Sequence, residues 1–296
     1  MHLPIECALF VAGLAFGSFL NVCISRIPSD LSIVAPPSHC PHCLAAIRWR
    51  DNVPLLSWIV LRGRCRDCGH RISPRYPAVE LLTASLFVAC YACFGPAWLT
   101  LKACVFCFLI VGLIFMDAET GLLPHEFTYS GIALGLVLAW VAPTDSSATA
   151  VLAAAIGLRF SPGPQLSLLD ATAAAVLGAG FFYLTWALYY LVRKRHGIGF
   201  GDIALIAMVG AFLGLKLTVL VVFLAPILAI VFVLGALLLS RNRGRKPRSD
   251  SGQFKDADAQ QFLSREVPFG VFLGASSLAA LFLGTQIWSW YWGLVR

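Results

Sequence analysis

Eight long apolar runs constrain this chain more than any other feature of its sequence. A helix that crosses a bilayer needs about 20 apolar residues, with a range of about 17–25. Only 12% of the residues are charged, which is about half the charged fraction of an average soluble protein. The sequence therefore predicts an all-α polytopic membrane protein with about eight transmembrane helices. The runs are 5–24, 78–94, 98–116, 127–142, 171–192, 203–215, 217–240 and 267–292.

One of these runs, 203–215, is too short to cross alone. It reaches the length of a span only if it begins near Gly197, which would place Asp202 inside the membrane boundary. Residues 148–158 are also too short and are interpreted as a loop or an interfacial helix. The first run has no basic segment before it and no clear cleavage site, so it is interpreted as a retained span rather than a signal peptide.

The positions of Lys and Arg predict the orientation, because cytoplasmic loops are enriched in them. With both termini on the outer side, the segments 25–77, 193–202 and 241–266 are cytoplasmic. Only four of the 22 Lys and Arg residues then fall elsewhere, namely Lys102, Arg159, Lys216 and Arg296. The basic charge is thus explained by topology, so the lipid bilayer is the expected partner and nucleic acid is not.

The same pattern predicts three parts. Residues 1–27 are the first transmembrane helix, and residues 28–77 are a cytoplasmic module. Residues 78–296 form a transmembrane domain with flexible loops at 143–170 and 241–266, which are rich in Ser, Pro, Gly or charge.

The cytoplasmic module contains two CxxC pairs separated by 21 residues, Cys40/Cys43 and Cys65/Cys68. Two such pairs suit a tetrahedral Zn²⁺ ion with four thiolate ligands. Structural disulfides are disfavoured in a reducing cytoplasm, and a segment of this size often needs a metal to fold. A structural zinc site is therefore predicted, with redox-active cysteines or an empty site as the alternatives.

The other cysteines and Asn21 are interpreted as packing residues. Two further CxxC pairs, Cys90/Cys93 and Cys104/Cys107, lie inside apolar runs, where a cysteine behaves as a small hydrophobe. These four cysteines are therefore assigned to packing, and so are Cys7 and Cys23. Asn21 follows small residues in the first run, which favours helix packing over a role in lining a site.

Two acidic residues share one predicted depth. The third run ends at Asp117 at the cytoplasmic edge, and the sixth run begins at the same edge with Asp202. Two carboxylates within a few ångströms cannot easily both ionise, so the pair holds one proton. That arrangement suits an aspartic protease, in which one carboxylate takes a proton from water and the other donates one.

Other interpretations of the two aspartates remain open at this point. They could merely cap helix ends or pair with nearby bases, or they could form a proton or ion pathway. The chain has no HExxH or GxSxG motif to indicate a metalloprotease or a serine hydrolase. Three alternate glycines before Asp202, Gly197, Gly199 and Gly201, allow a tight turn and a close approach of the backbone.

Several motifs in order make the chain resemble the type IV prepilin peptidases, bacterial inner-membrane leader peptidases that are often also N-methyltransferases. Besides the four cysteines and Asp117, the resemblance covers the following pieces: GSFLNV at 17–22 with Arg26 and Pro28, DNVPLLSW at 51–58, ISPRYPAVELL at 72–82, GIGFGD at 197–202 and PFG at 268–270. Each piece is weak alone, whereas their order and combination are specific.

The resemblance implies a GxGD-type intramembrane aspartic peptidase with Asp117 and Asp202 on the two catalytic positions. The implied substrate is a type IV prepilin or pseudopilin, cut at the cytoplasmic face after a glycine that precedes its apolar helix. The new N-terminal residue would then be methylated from S-adenosylmethionine, and the resemblance alone carries this second activity. The glycine turn at 197–201 is predicted to keep side chains away from the substrate backbone.

Two departures from the family pattern motivate an alternative function. The family usually has Asp after Leu-Pro, where this chain has His125, and usually has a lysine at the position of Ala204. A catalytically weak or inactive homologue that acts as a pilin-binding assembly factor would explain both. A proton-coupled transporter is disfavoured, since no internal repeat of spans is visible.

Overall fold

The computed structural model of the protein describes residues 3–155, 157–194, 199–243 and 268–295, which form a bundle of α-helices. Those ranges contain two isolated β-bridges and no longer strand. The predicted all-α fold class is confirmed. The nine helices in the described ranges are α1 Leu3–Arg26, α2 Leu56–Val60, α3 Arg75–Phe94, α4 Trp98–Thr120, α5 His125–Val141, α6 Ser147–Ala155, α7 Pro164–Arg193, α8 Phe200–Arg243 and α9 Phe269–Val295.

Six of these helices, α1, α3, α4, α7, α8 and α9, are long and apolar enough to cross a membrane. The protein is therefore a multi-pass membrane protein. The predicted number of eight crossings further requires that α5, with 17 residues, and each half of α8 also cross. Helix α8 spans 44 residues and is interrupted by one residue with non-helical backbone angles, Gly214.

Helix α8 reverses direction at Gly214. Its φ of 75° and ψ of 176° lie in a region that glycine adopts without strain. Residues before and after the break contact the same point on α7, because Ile206 and Thr218 both lie beside Gly178. The first half of α8, residues 200–213, therefore lies antiparallel to the second half.

The second half of α8 runs antiparallel to α9. Leu217 lies beside Gly284 near one end of the pair, and the ring of Phe232 lies 5.4 Å from that of Phe272 near the other end. The hairpin thus returns the chain to the end of the bundle from which α8 started, so the first turns of α8 and α9 lie at the same end.

Helix α4 lies at the centre of the bundle, where it contacts α1, α3, α5 and α9. Its fully buried side chains include Phe106, Ile110, Leu113 and Met116. Because lipid tails are as apolar as these side chains, helix association depends on close packing of small residues. A methyl group on Gly210 of α8, for example, would lie 2.6 Å from the backbone of α7.

The predicted loops are described in part. Within 143–170 the structure forms α6, and α7 begins at Pro164, seven residues before the apolar run that predicted it. Most of the second predicted loop, residues 244–266, lies outside the described residues. Gly197 of the predicted glycine turn also lies outside them.

Candidate active site and metal centre

Asp117 lies in the last turn of α4, and its side chain is buried, with 6% of the residue exposed. Its carboxylate accepts a hydrogen bond of 3.0 Å from the backbone N–H of Val271, and the backbone N–H of Gly270 also interacts with it. These N–H groups belong to the first turn of α9, where no intrahelical acceptor is available. Asp117 therefore joins the end of α4 to the start of α9.

Asp202 lies in the first turn of α8 and is also buried, with 9% exposed. Its backbone N–H donates to the carbonyl of Gly199 at 3.2 Å, and the backbone of Gly199 also interacts with its carboxyl group. Asp202 is close enough to Asp117 for the charges of the two carboxylates to repel each other. The structure thus brings the two predicted aspartates together from two different helices.

Leu123 packs against two glycines that adjoin the aspartate pair. A Cβ atom on Gly201, next to Asp202, would lie 2.8 Å from the Cβ of Leu123. A Cβ atom on Gly270 would lie 3.1 Å from Cδ1 of Leu123 and 2.8 Å from Oδ2 of Asp117. Two glycines are therefore required by close packing around the pair.

The glycines of the predicted turn differ in how tightly their surroundings are packed. Gly201 is constrained by Leu123, whereas among the described residues a Cβ on Gly199 would meet Oδ2 of Asp202 at 3.6 Å and the backbone nitrogen of Gly201 at 3.9 Å, which are ordinary distances. Gly197 lies outside the described residues. Packing against Leu123 is thus a reason for Gly201 that the sequence did not reveal.

Neither aspartate has a cationic partner among the described residues. The four ion pairs found there use other acids: Asp51, Asp67, Glu119 and Asp145. Glu119, two residues beyond Asp117, pairs with Arg75 at the start of α3. Its carboxylate is therefore neutralised by a base of its own.

The four predicted metal ligands come together in the segment between α1 and α3. The Sγ atoms of Cys40, Cys43, Cys65 and Cys68 all lie within 4.8 Å of one another, and those of Cys40 and Cys68 are 3.9 Å apart. A tetrahedral Zn²⁺ ion with Zn–S bonds of about 2.3 Å needs sulfur atoms about 3.8 Å apart. The cluster therefore fits a metal ion of this kind.

The two CxxC loops have the same backbone structure. In the first, the N–H of Cys40 donates to Ala45 and that of Leu44 donates to Cys40; in the second, Cys65 donates to His70 and Gly69 to Cys65. Each bond in the second loop lies 25 residues after its counterpart in the first. The loops even share a positive φ, of 58° at Leu44 and 70° at Gly69.

One thiol of the cluster, that of Cys40, lies in an environment that favours its ionised form. Backbone N–H groups of Cys43 and then His42 point at the sulfur of Cys40, and they lower the pKa of this thiol to about 7. The thiolate is the form that binds metal. Cys40 is thus prepared for a ligand role near neutral pH.

Comparison with known proteins identifies the family. Residues 11–94 match the bacterial peptidase A24 N-terminal domain, and residues 103–234 match the type IV leader peptidase family. The chain belongs to the type IV leader peptidase family. No solved structure matches it significantly.

Relatives from this leader peptidase family cover most of the chain. A prepilin leader peptidase/N-methyltransferase of Myxococcus xanthus is 38% identical over 249 residues, which are 84% of this chain and 68% of the relative. The protein of the same name from Aeromonas hydrophila is 33% identical over 96% of this chain and 92% of the relative. A type 4 prepilin-like proteins leader peptide-processing enzyme of Escherichia coli is 35% identical over 69% of this chain and 75% of the relative.

The two departures from the pattern of the leader peptidase family occupy different environments. His125 is exposed at the start of α5, and its ring stacks on that of Tyr129 at 4.9 Å. Ala204 is buried, with 8% exposed. The small side chain at 204 is therefore part of the packing of α8 into the bundle.

Glu80 is a buried acidic residue whose role was not apparent from the sequence. It is 7% exposed on α3, accepts a 2.7 Å hydrogen bond from the N–H of Leu55 and interacts with the hydroxyl of Ser18. Through these two contacts, Glu80 of α3 links the cysteine-containing segment to α1 and α3. In the sequence, the indication of this role is that Glu80 is an acidic residue within the apolar run 78–94.

Asn21 and four of the remaining cysteines have the predicted packing role. Asn21 is 3% exposed, and its Nδ2 donates to the carbonyl of Tyr76 at 3.0 Å, which ties α1 to α3. The buried cysteines are Cys23, Cys90, Cys104 and Cys107. The packing prediction is wrong for Cys7 and Cys93, which are exposed because they lie on outward faces of α1 and α3.

Proposed function

We propose that this protein is a membrane-embedded aspartic endopeptidase that removes the leader of type IV prepilins or pseudopilins. The names of its relatives supply the substrate class. The observation that carries the chemistry is the pair of buried carboxylates, Asp117 and Asp202, which interact and have no cation beside them among the described residues. Buried acids in a transmembrane bundle mark functional sites by default.

The pair supports hydrolysis of a peptide bond by general acid–base catalysis. The ionised carboxylate takes a proton from water as the water oxygen attacks the peptide carbonyl carbon, and the protonated carboxyl donates its proton to the carbonyl oxygen. The resulting intermediate collapses with cleavage of the C–N bond and transfer of a proton to the leaving amine. We assign the ionised role to Asp117, since two backbone N–H groups of α9 interact with it and such bonds favour a charged carboxylate.

A second proposed activity is N-methylation of the new N-terminus, as in the names of the relatives. S-adenosylmethionine would supply the methyl group. One cleft in the cysteine-containing segment, beside Arg50 and Asp51, has a volume of about 150 Å³, which is below the roughly 300–1,000 Å³ of small-molecule pockets. This cleft does not fit the whole donor, and we assign no residue to binding it.

The four cysteines are proposed to hold a structural Zn²⁺ ion. The ion would cross-link the two CxxC loops, because the segment between α1 and α3 has few buried apolar side chains of its own. The ligands would be Cys40, Cys43, Cys65 and Cys68. With all four positions taken by sulfur, the site has no open position for a substrate.

The proposed location is the bacterial inner membrane, with both termini on the outer side and the aspartates at the cytoplasmic face. The distribution of Lys and Arg supports this orientation. The ends of α4, α8 and α9 that meet at the aspartates are the ends that this orientation places inside. The division into residues 1–27, 28–77 and 78–296 is retained as part of the proposal.

Co-expression with a tagged type IV prepilin tests the proposal. The protein should shorten the prepilin, and the N-terminal mass of the product should show one added methyl group. Shortening without the methyl group would leave a peptidase alone. Failure of the folded protein to cut any of several prepilins would favour the alternative of an inactive, pilin-binding homologue.

A further inference from the structure

A buried polar cluster lies at the other end of the bundle from the aspartate pair. Its centre is Asp170 of α7, which is 2% exposed, and it includes Thr149 of α6 and Lys102 of α4, which are 5% and 3% exposed. Lys102 precedes Asp117 on the same helix by 15 residues, or about 22 Å at the helical rise. The cluster therefore does not belong to the proposed catalytic site.

Asp170 binds the point at which α8 reverses. Its Oδ1 accepts a hydrogen bond of 3.3 Å from the backbone N–H of Leu215 and another from the hydroxyl of Thr149. Its charge also interacts with that of Lys102. Leu215 is the first residue of the second half of α8, so Asp170 supplies from α7 the anionic cap that a helix N-terminus favours.

Gly214 and Asp170 are closely packed at the reversal of α8. A methyl group on Gly214 would collide with the carboxylate of Asp170, so the glycine and the acid are matched to each other. The hydroxyl of Thr218 donates to the carbonyl of Gly214 at 2.7 Å, which links the reversal to the next turn of the helix. Below the reversal, Gly210 packs directly on the backbone of Ala174.

The first half of α8 connects this cluster to Asp202. Gly214 follows Asp202 by 12 residues, which is about 18 Å of helix at the helical rise. A shift or rotation at Gly214 is therefore transmitted to Asp202 at the other end. Reacting groups must be held within a fraction of an ångström, and a misplacement of about 1 Å can reduce the rate about 100-fold.

We propose that Asp170 is a positioning residue: by holding the reversal of α8 at Gly214, it sets the height and rotation at which Asp202 meets Asp117. This inference rests on the proposed peptidase function. The hydrogen bond to Leu215 is the essential contact, and Lys102 balances the charge of the buried carboxylate.

Steady-state cleavage of a purified type IV prepilin by the enzyme in lipid nanodiscs tests the inference. Asp170→Ala should lower kcat about 10- to 100-fold, with KM unchanged, because the reversal lies far from the bond that is cut. Asp145→Ala is the matched control, since Asp145 lies at the same end, pairs with Lys216 at 3.5 Å and has a largely exposed side chain. It should retain the wild-type kcat.

Two double variants keep the test valid if an unpaired Lys102 prevents folding of Asp170→Ala. Asparagine can still accept the bond from Leu215, so Lys102→Met/Asp170→Asn should retain kcat, whereas Lys102→Met/Asp170→Ala should lose it. Hydrogen exchange at the Leu215 amide should accelerate only in the alanine variants. Wild-type kcat in Lys102→Met/Asp170→Ala, a rise in KM alone, or failure of the asparagine variant to fold would overturn the inference.

The assay also separates this inference from the proposed function. Cleavage by Asp202→Asn would refute the aspartic peptidase itself. An inactive Asp202→Asn enzyme together with fully active alanine variants of Asp170 would refute only the positioning role.

Discussion

Replacing Gly201 by alanine should impair prepilin cleavage, whereas the same change at Gly199 should not. The new Cβ at 201 would lie 2.8 Å from the Cβ of Leu123 and 3.2 Å from its Cδ1. Carbon atoms in contact prefer about 3.5–4.0 Å, so the start of α8 must move by about 1 Å. Asp202 is the next residue and moves with it.

The expected size of the effect follows from that displacement. Overpacking of a buried site costs about 1–3 kcal/mol, and a shift of about 1 Å in a catalytic group reduces the rate about 100-fold. We therefore expect kcat/KM to fall by about two orders of magnitude for Gly201→Ala. For Gly199→Ala, the new Cβ meets one oxygen of Asp202 at 3.6 Å, and a change of about twofold is expected.

The assay is the initial rate of prepilin shortening, measured with equal amounts of each purified enzyme. Size-exclusion profiles in detergent serve as the control for folding. Equal rates for the two variants, whether both high or both low, would refute the argument that Leu123 determines the need for glycine at 201.

Three further predictions concern the metal site and the environment of Asp117. Cys40→Ser/Cys43→Ser should lose one bound zinc per chain by elemental analysis and make the cysteine-containing segment sensitive to protease; full zinc content would contradict the site. Gly270→Ala should lower the cleavage rate, since its Cβ would lie 2.8 Å from Oδ2 of Asp117; an unchanged rate would refute this contact. Gly69→Ala should destabilise the metal-bound segment by about 1 kcal/mol because of its positive φ, as judged by chelator-induced unfolding, and a more stable variant would contradict the assigned backbone.

The aspartate pair and the cysteine cluster could be located from sequence for different reasons. The two CxxC loops bring their four cysteines together through local backbone geometry that repeats between Cys40 and Cys65, so the spacing was sufficient to locate the cluster. The depth of Asp117 and Asp202 followed from where two apolar runs end and begin. Membrane depth is a one-dimensional quantity, and it can be read from the chain without knowing which helices are neighbours.

The remaining contacts depend on helix neighbours, which hydropathy does not specify. Lys102 and Asp170 are each visible in the sequence as charges within or next to apolar runs. Their association depends on α4, α6 and α7 meeting at the reversal of α8. The same applies to Leu123, whose contact with Gly201 and Gly270 depends on three segments that are distant in sequence.

The claim that Asp117 and Asp202 act together as the catalytic pair is tested most directly by single-turnover cleavage of purified prepilin. The enzymes to compare are the wild type, Asp117→Asn, Asp202→Asn and, as a control, Glu119→Gln, whose carboxylate pairs with Arg75. The proposed mechanism predicts cleavage by the wild type and by Glu119→Gln, and none by either asparagine variant. Cleavage at the wild-type rate by Asp117→Asn or Asp202→Asn in folded protein would contradict it.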